Sequence, residues 1–164
     1  MTVADGEPSP ARPRGRRLAV DVGSVRIGVA ACDPDGMLAT PVETVPRVGD
    51  GRDLARIAAL VDEYDAVEVI VGLPTTLRGD HGPAAQTATS FAEALRRRVG
   101  DVPVTLHDER MTTALASRSL RAGGRSSKQQ RAIIDQAAAV EILQSWLDRH
   151  LRRPVVGDPG AADR

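Results

Sequence analysis

The chain has 164 residues, with 22 basic and 22 acidic side chains, 41% hydrophobic residues and a single cysteine, Cys32. That length suits one domain with a sizeable core, and zero net charge gives no whole-molecule signal for a polyanionic partner. One cysteine excludes an internal disulfide and a thiolate metal cluster and fits a reducing, cytoplasmic setting.

In chain order, residues 1–16 are rich in Pro, Gly, Arg and Asp and are expected to form a disordered tail, as are residues 152–164. The opening "MTVADGEPSPARPRGRR" has no apolar centre of the kind a secretion signal needs, and no apolar run reaches membrane-spanning length. A domain over 17–151 remains, with no membrane partner. Strand one is predicted over Arg17 to Val22 and strand two over Ile27 to Cys32, joined at Gly23-Ser24. "DPDG", Asp33 to Gly36, is a turn, and Leu38 to Val45 reads as a third strand that Pro41 marks as an edge or a bulge. The period then becomes helical: Leu54, Ile57, Ala58 and Val61 predict a helix over Gly51 to Tyr64. "VEVIVG", Val67 to Gly72, is a buried strand, followed by a helix over Ala84 to Val99 and a fifth strand in "VPVTLHDE". Met111 to Ala122 is predicted as a short helix stopped by Gly123-Gly124. "SSKQQ" opens a last helix that runs to about Leu151. The order β-β-β-α-β-α-β-α-α implies an α/β fold, a five-stranded mixed sheet with helices on both faces. That is the ribonuclease-H-like topology.

Three sets of acids stand out against this frame. Asp21 interrupts an apolar strand, where a carboxylate is costly unless its charge is paired. Asp108 and Glu109 end the fifth strand. Asp135 shares its helix face with Ala138, Ala139, Ile142 and Trp146, so it faces the sheet where a surface acid would face water. Carboxylates gathered in this way repel one another unless a cation joins them, and an all-oxygen donor set suits one or two Mg²⁺ or Mn²⁺ ions. Strand alternation points Asp108 and Glu109 to opposite faces; Glu109 is favoured as the direct ligand, with Asp108 as a ligand or a supporting acid. His81, His107 and His150 do not cluster in sequence, and His107 reads as a packed strand histidine.

The positive charge is uneven. From Arg110 to Ile134 there is no acid, while Arg110, Arg118, Arg121, Arg125, Lys128 and Arg131 all fall there. We take Arg110, Arg118, Arg125 and Lys128 as candidate phosphate contacts, with Arg78 in "GLPTTLRGDHGPAA" and Arg26 in the first hairpin, which would otherwise cover the sheet edge. Tyr64, Phe91 and Trp146 are the only aromatics and two lie on core stripes, so there is no platform for stacking bases; binding should rest on backbone charge and weaken with salt.

"LAVDVGSVRIGVA", "VIVGLPTTLRGDHGPAA", "LHDERMTT" and "IIDQAAAVEIL" resemble, in order and spacing, the YqgF family, also called RuvX-like or Holliday-junction-resolvase-like. The resemblance covers about Leu18 to Leu151. It implies a divalent-metal nuclease that matures the 5′ end of pre-16S rRNA, with ribosomal precursor particles as partners. The family's first-strand acid falls on Asp21, its "DER" acids on Asp108 and Glu109, and its last-helix acid on Asp135. Val22, where the family usually has an aromatic, and Thr75-Thr76-Leu77 depart from its pattern. On this basis Asp21, Glu109 and Asp135 are the expected metal ligands. The same motifs leave open a Holliday junction resolvase acting on branched DNA as a homodimer, where the nuclease proper could be a monomer. A non-catalytic RNA-binding or transcription-associated protein is a further alternative. The phosphate loop of actin-like ATPases resembles "DVGSVRIGVA" too, but those proteins close two such domains around a nucleotide.

Overall fold

A computed structural model describes residues 12–75, 82–108 and 128–151. Strands β1 (Arg17–Val22), β2 (Arg26–Cys32) and β3 (Ala39–Pro46) are followed by helix α1 (Arg52–Glu63). Then come β4 (Glu68–Leu73), α2 (Pro83–Arg98), β5 (Val104–Asp108) and α3 (Lys128–His150). The five strands form one sheet in the order β3-β2-β1-β4-β5. β1 pairs antiparallel with β2, which pairs antiparallel with β3; β4 lies parallel to β1 and β5 parallel to β4. The three-strand meander and the following αβ units are therefore arranged as expected, while the short helix predicted over Met111 to Ala122 lies outside the described residues.

Alternation along the strands builds two cores. Leu18, Val20 and Val22 of β1, with Ile27 and Val29 of β2 and Val69 and Val71 of β4, face Ile57, Leu60, Phe91 and Leu95 of α1 and α2. The residues between them, Ala19, Ala30, Cys32 and Ile70, face Ala138, Ala139, Ile142, Leu143, Trp146 and Leu147 of α3. Small residues dominate the strand side of this second core, so α3 can lie close to the sheet. β1, central and covered on both sides, is buried along its whole length.

β3 is an edge strand, and its pairing shifts between Val29–Glu43 and Ala30–Pro41, which leaves Val42 as the extra residue of a bulge. Pro41 has no N–H to donate to a ladder, so its place at the bulge follows from its chemistry.

Of the residues expected to form an N-terminal tail, 12–16 are described, and they are bonded to the domain. Gly15 N–H donates to Pro34 O at 3.0 Å, and Val67 N–H donates to Arg16 O at 2.8 Å. Arg17 is buried, with its Nε 3.3 Å from Glu68 Oε1, and Thr105 donates to the other Glu68 oxygen at 2.8 Å. Both Arg12 and Arg17 lie over the Trp146 ring, at 5.0 and 5.1 Å. A cluster of charges and one aromatic thus ties the chain's entry into β1 to the far end of α3.

Candidate active site

The site begins with the parity of β1. Ala19 faces α3, so Asp21, two residues on, faces α3 as well, and it is only 2% exposed. Its cross-strand partner on β2 is Gly28. A Cβ built on Gly28 would overlap the backbone carbonyl of Asp135, so α3 touches the sheet backbone to backbone at this point. Asp135, also 2% exposed, is therefore held over the strand next to Asp21.

Two further contacts seat this part of α3. The Thr44 hydroxyl donates to Ala132 O at 2.8 Å and accepts from Gln136 Nε2 at 3.1 Å. Thr44 is the register partner of Gly28 on β3, so the close approach and the hydrogen bonds fall on one cross-strand row. Arg26 lies two residues before Gly28 on the same strand and face. Its Nε donates to Asp135 Oδ2 at 2.7 Å, with the Asp135 side chain 3% exposed and that of Arg26 23%. Arg26, taken from the sequence as a phosphate contact or an edge cover, has an internal partner.

β5 borders the same region. His107 pairs with Gly72 across β4 and faces α3, where its Nε2 lies 3.2 Å from Ser145 Oγ. Burial first, then the positive charges of His150 and Arg149, push its pKa below the ordinary value, against the pull of Asp108. A buried ring biased towards neutrality is a packed histidine. Asp108 alternates to the other face, that of Leu106, and accepts a hydrogen bond from Thr75 Oγ1 at 3.3 Å.

Of the acids singled out in the sequence, the structure brings Asp21 and Asp135 together and turns Asp108 to the opposite side of the sheet. Glu109, Arg78, Arg110, Arg118 and Arg125 lie outside the described residues. Lys128 opens α3, and its side chain is likewise outside the description. Among the described residues there is no group of three His, Cys, Asp or Glu side chains set to hold a metal ion. The two buried carboxylates offer hard oxygen donors only, a chemistry that fits Mg²⁺ or Mn²⁺ and does not fit zinc or copper. The sequence reading did not single out Gly28 or Thr44. A glycine inside an otherwise apolar strand is the available signal for the first, because it often marks a close backbone approach.

A cleft of about 650 Å³ lies on the other face of the sheet, between α1 and α2, and is lined by Arg47, Asp53, Gln86, Thr87, Ser90 and Phe91 among others. Arg47 Nε and Asp53 Oδ2 pair there at 3.4 Å, while Arg47 Nη1 is buried with no hydrogen-bond partner among the described residues. Asp21 and Asp135, by contrast, sit on the side covered by α3.

The family model described as RuvX, Holliday junction resolvase, matches residues 15–149. A protein of Rhodococcus jostii is 58% identical over 164 residues, covering 94% of this chain and 92% of its own. One of Mycobacterium tuberculosis is 60% identical over 146 residues, covering 89% and 86%. Both are described as "Putative pre-16S rRNA nuclease". Among solved structures, T. thermophilus RuvC in complex with a Holliday junction substrate superposes with a TM-score of 0.55 at 17% identity, covering 82% of this chain and 94% of that one. At that identity the likeness speaks for the fold alone. Together with the strand order, it makes this fold the ribonuclease-H-like one expected from the sequence.

Proposed function

Because this chain belongs to the RuvX family, matched over residues 15–149, we propose that it is a metal-dependent nuclease that hydrolyses phosphodiester bonds, with the 5′ end of pre-16S rRNA as its substrate. The observation that carries this reading is the pair of buried acids, Asp21 and Asp135, which come from opposite ends of the chain to one cross-strand row. Apart from a charge-bearing role, a fold gains nothing by placing two carboxylates side by side in its interior.

Asp21 and Asp135 are the residues that would hold a divalent ion, Mg²⁺ or Mn²⁺, and Glu109, next after Asp108 in the sequence, is proposed as the third donor. When bound, such an ion supplies activation of water and neutralisation of charge on the phosphodiester and the leaving oxygen. The chain's own part is positioning. Gly28 lets α3 approach, Thr44 seats its first turns, and β1 presents Asp21 from a strand covered on both faces. Arg78, Arg110, Arg118, Arg125 and Lys128 are proposed to contact phosphates, which would orient a nucleic acid without reading its bases. Among the described residues no helix is long and apolar enough to cross a membrane. A cytoplasmic setting among ribosomal precursor particles is the one in which this activity would operate.

The test is a cleavage assay with Mg²⁺ or Mn²⁺ on a structured pre-16S rRNA leader and on a four-way DNA junction. Outer partners of metal sites typically cost about 10–100-fold when removed, so Asp21→Asn, a direct ligand, should cost about 100-fold or more. Cleavage of the junction in place of the RNA would favour the resolvase activity in the family's description. An Asp21→Asn variant that cuts at the unmodified rate would overturn the site.

A further inference from the structure

We propose that Arg26 is a resident cation beside the acid pair: it holds the Asp135 carboxylate in place before a divalent ion binds, and it competes with that ion for the same carboxylate. The proposal rests on the metal reading above and goes beyond it, since it assigns Arg26 to the metal's side of the chemistry and removes it from the list of plain phosphate contacts.

The geometry has three parts. Asp135 is a carboxylate with a side chain 3% exposed, which is strongly disfavoured in a folded interior unless a counter-charge is at hand. Arg26 provides that charge through its Nε at 2.7 Å, a short, charge-assisted bond to Oδ2. Arg26 also arrives from the solvent side, with 23% of its side chain exposed, whereas Asp135 is enclosed by α3 and the sheet. A guanidinium reaching in from the edge can withdraw; an acid fixed on a buried helix turn cannot. Asp21 is a second buried acid on the same face, so the oxygen donors that would hold a divalent ion lie beside the Arg26–Asp135 pair.

A consequence separates this role from that of a structural strut. A positive charge within a few ångströms of a bound cation weakens its binding, so removing the charge should tighten metal binding even as it loosens the metal-free fold. A strut would give the opposite sign for the metal, because a less well-held Asp135 is a poorer ligand.

The experiment measures Mn²⁺ binding to the full chain by calorimetry, without nucleic acid, and the melting temperature with and without Mn²⁺. Arg26→Met, which keeps the length and loses the charge, should bind Mn²⁺ about tenfold more tightly than the unmodified chain. It should melt lower than the unmodified chain without metal and gain more on adding it. Arg26→Lys, which retains a cation, should bind Mn²⁺ close to the unmodified value. Equal or weaker binding by Arg26→Met, with an unchanged metal-induced gain, would overturn the proposal. In the unmodified chain, the Arg26 Nε–H resonance should shift as Mg²⁺ is added, which tests the same idea even if Arg26→Met does not fold; no shift at saturation would overturn it. If Mn²⁺ binds to neither the unmodified chain nor the variants, the two-acid site falls and this proposal with it. Binding to the unmodified chain without the predicted gain in Arg26→Met sinks the Arg26 role alone.

Discussion

Replacing Gly28 with alanine tests the contact on which the site is built. The added Cβ would overlap the Asp135 carbonyl, a backbone atom within α3 that no side-chain rotation can clear. To restore an ordinary separation of about 3.5 Å, the helix must recede from β2 by roughly 1 Å or more. Overpacking of this kind typically costs about 1–3 kcal/mol, partly offset by the ~0.5–1 kcal/mol that alanine gains over glycine inside a strand. The net loss of stability should therefore be modest, on the order of 1–2 kcal/mol, or roughly 2–8 °C in melting temperature for a chain of this size. Cleavage should suffer far more, because a displacement of about 1 Å in a catalytic group can cost about 100-fold. Urea unfolding and the metal-dependent cleavage assay, run side by side, read the two effects. Gly49→Ala is the control: an added Cβ there meets nothing within 4 Å, and it should change neither. Gly28→Ala with unmodified cleavage would show that the spacing between α3 and β2 does not set the site, and the reasoning that places Asp135 beside Asp21 for catalysis would fail.

Two further outcomes follow from the buried polar groups. Arg17→Leu strands Glu68, a nearly buried acid left with Thr105 and the more distant Arg12 at 3.7 Å. Breaking such a pair costs about 3–5 kcal/mol, seen as a lower urea midpoint with an unchanged slope, while cleavage by the folded protein at low temperature should hold. His107 has its pKa lowered below 6.5 chiefly by burial, so between the folded value and 6.5 the unfolded chain binds more protons than the folded one. Stability should rise with pH across that window and fall as pH drops through it; in His107→Gln this component of the pH dependence should vanish from urea titrations.

Periodicity carried much of the fold. The apolar run of β1 and the 3.6-residue stripe of α3 are each legible from local spacing, and they put Asp21 inside a buried strand and Asp135 on an apolar helix face without knowledge of any contact. Turn residues and Pro41 placed the meander and its irregular edge in the same way. Where the two patterns met was not legible. The chain could not show that Gly28 lies beneath Asp135, that Thr44 receives the helix, or that Arg26 closes on a carboxylate 109 positions away. Nor did it show that the first strand is anchored from Arg12 through Trp146.

The amino-acid sequence by itself determined which residues share a face within a strand or helix, because side-chain direction repeats with the backbone's own period. Only the tertiary structure decided which faces meet, at what distance, and which charges are paired there. Those depend on strand register and helix docking, which join residues far apart in the chain and leave no periodic trace within either segment.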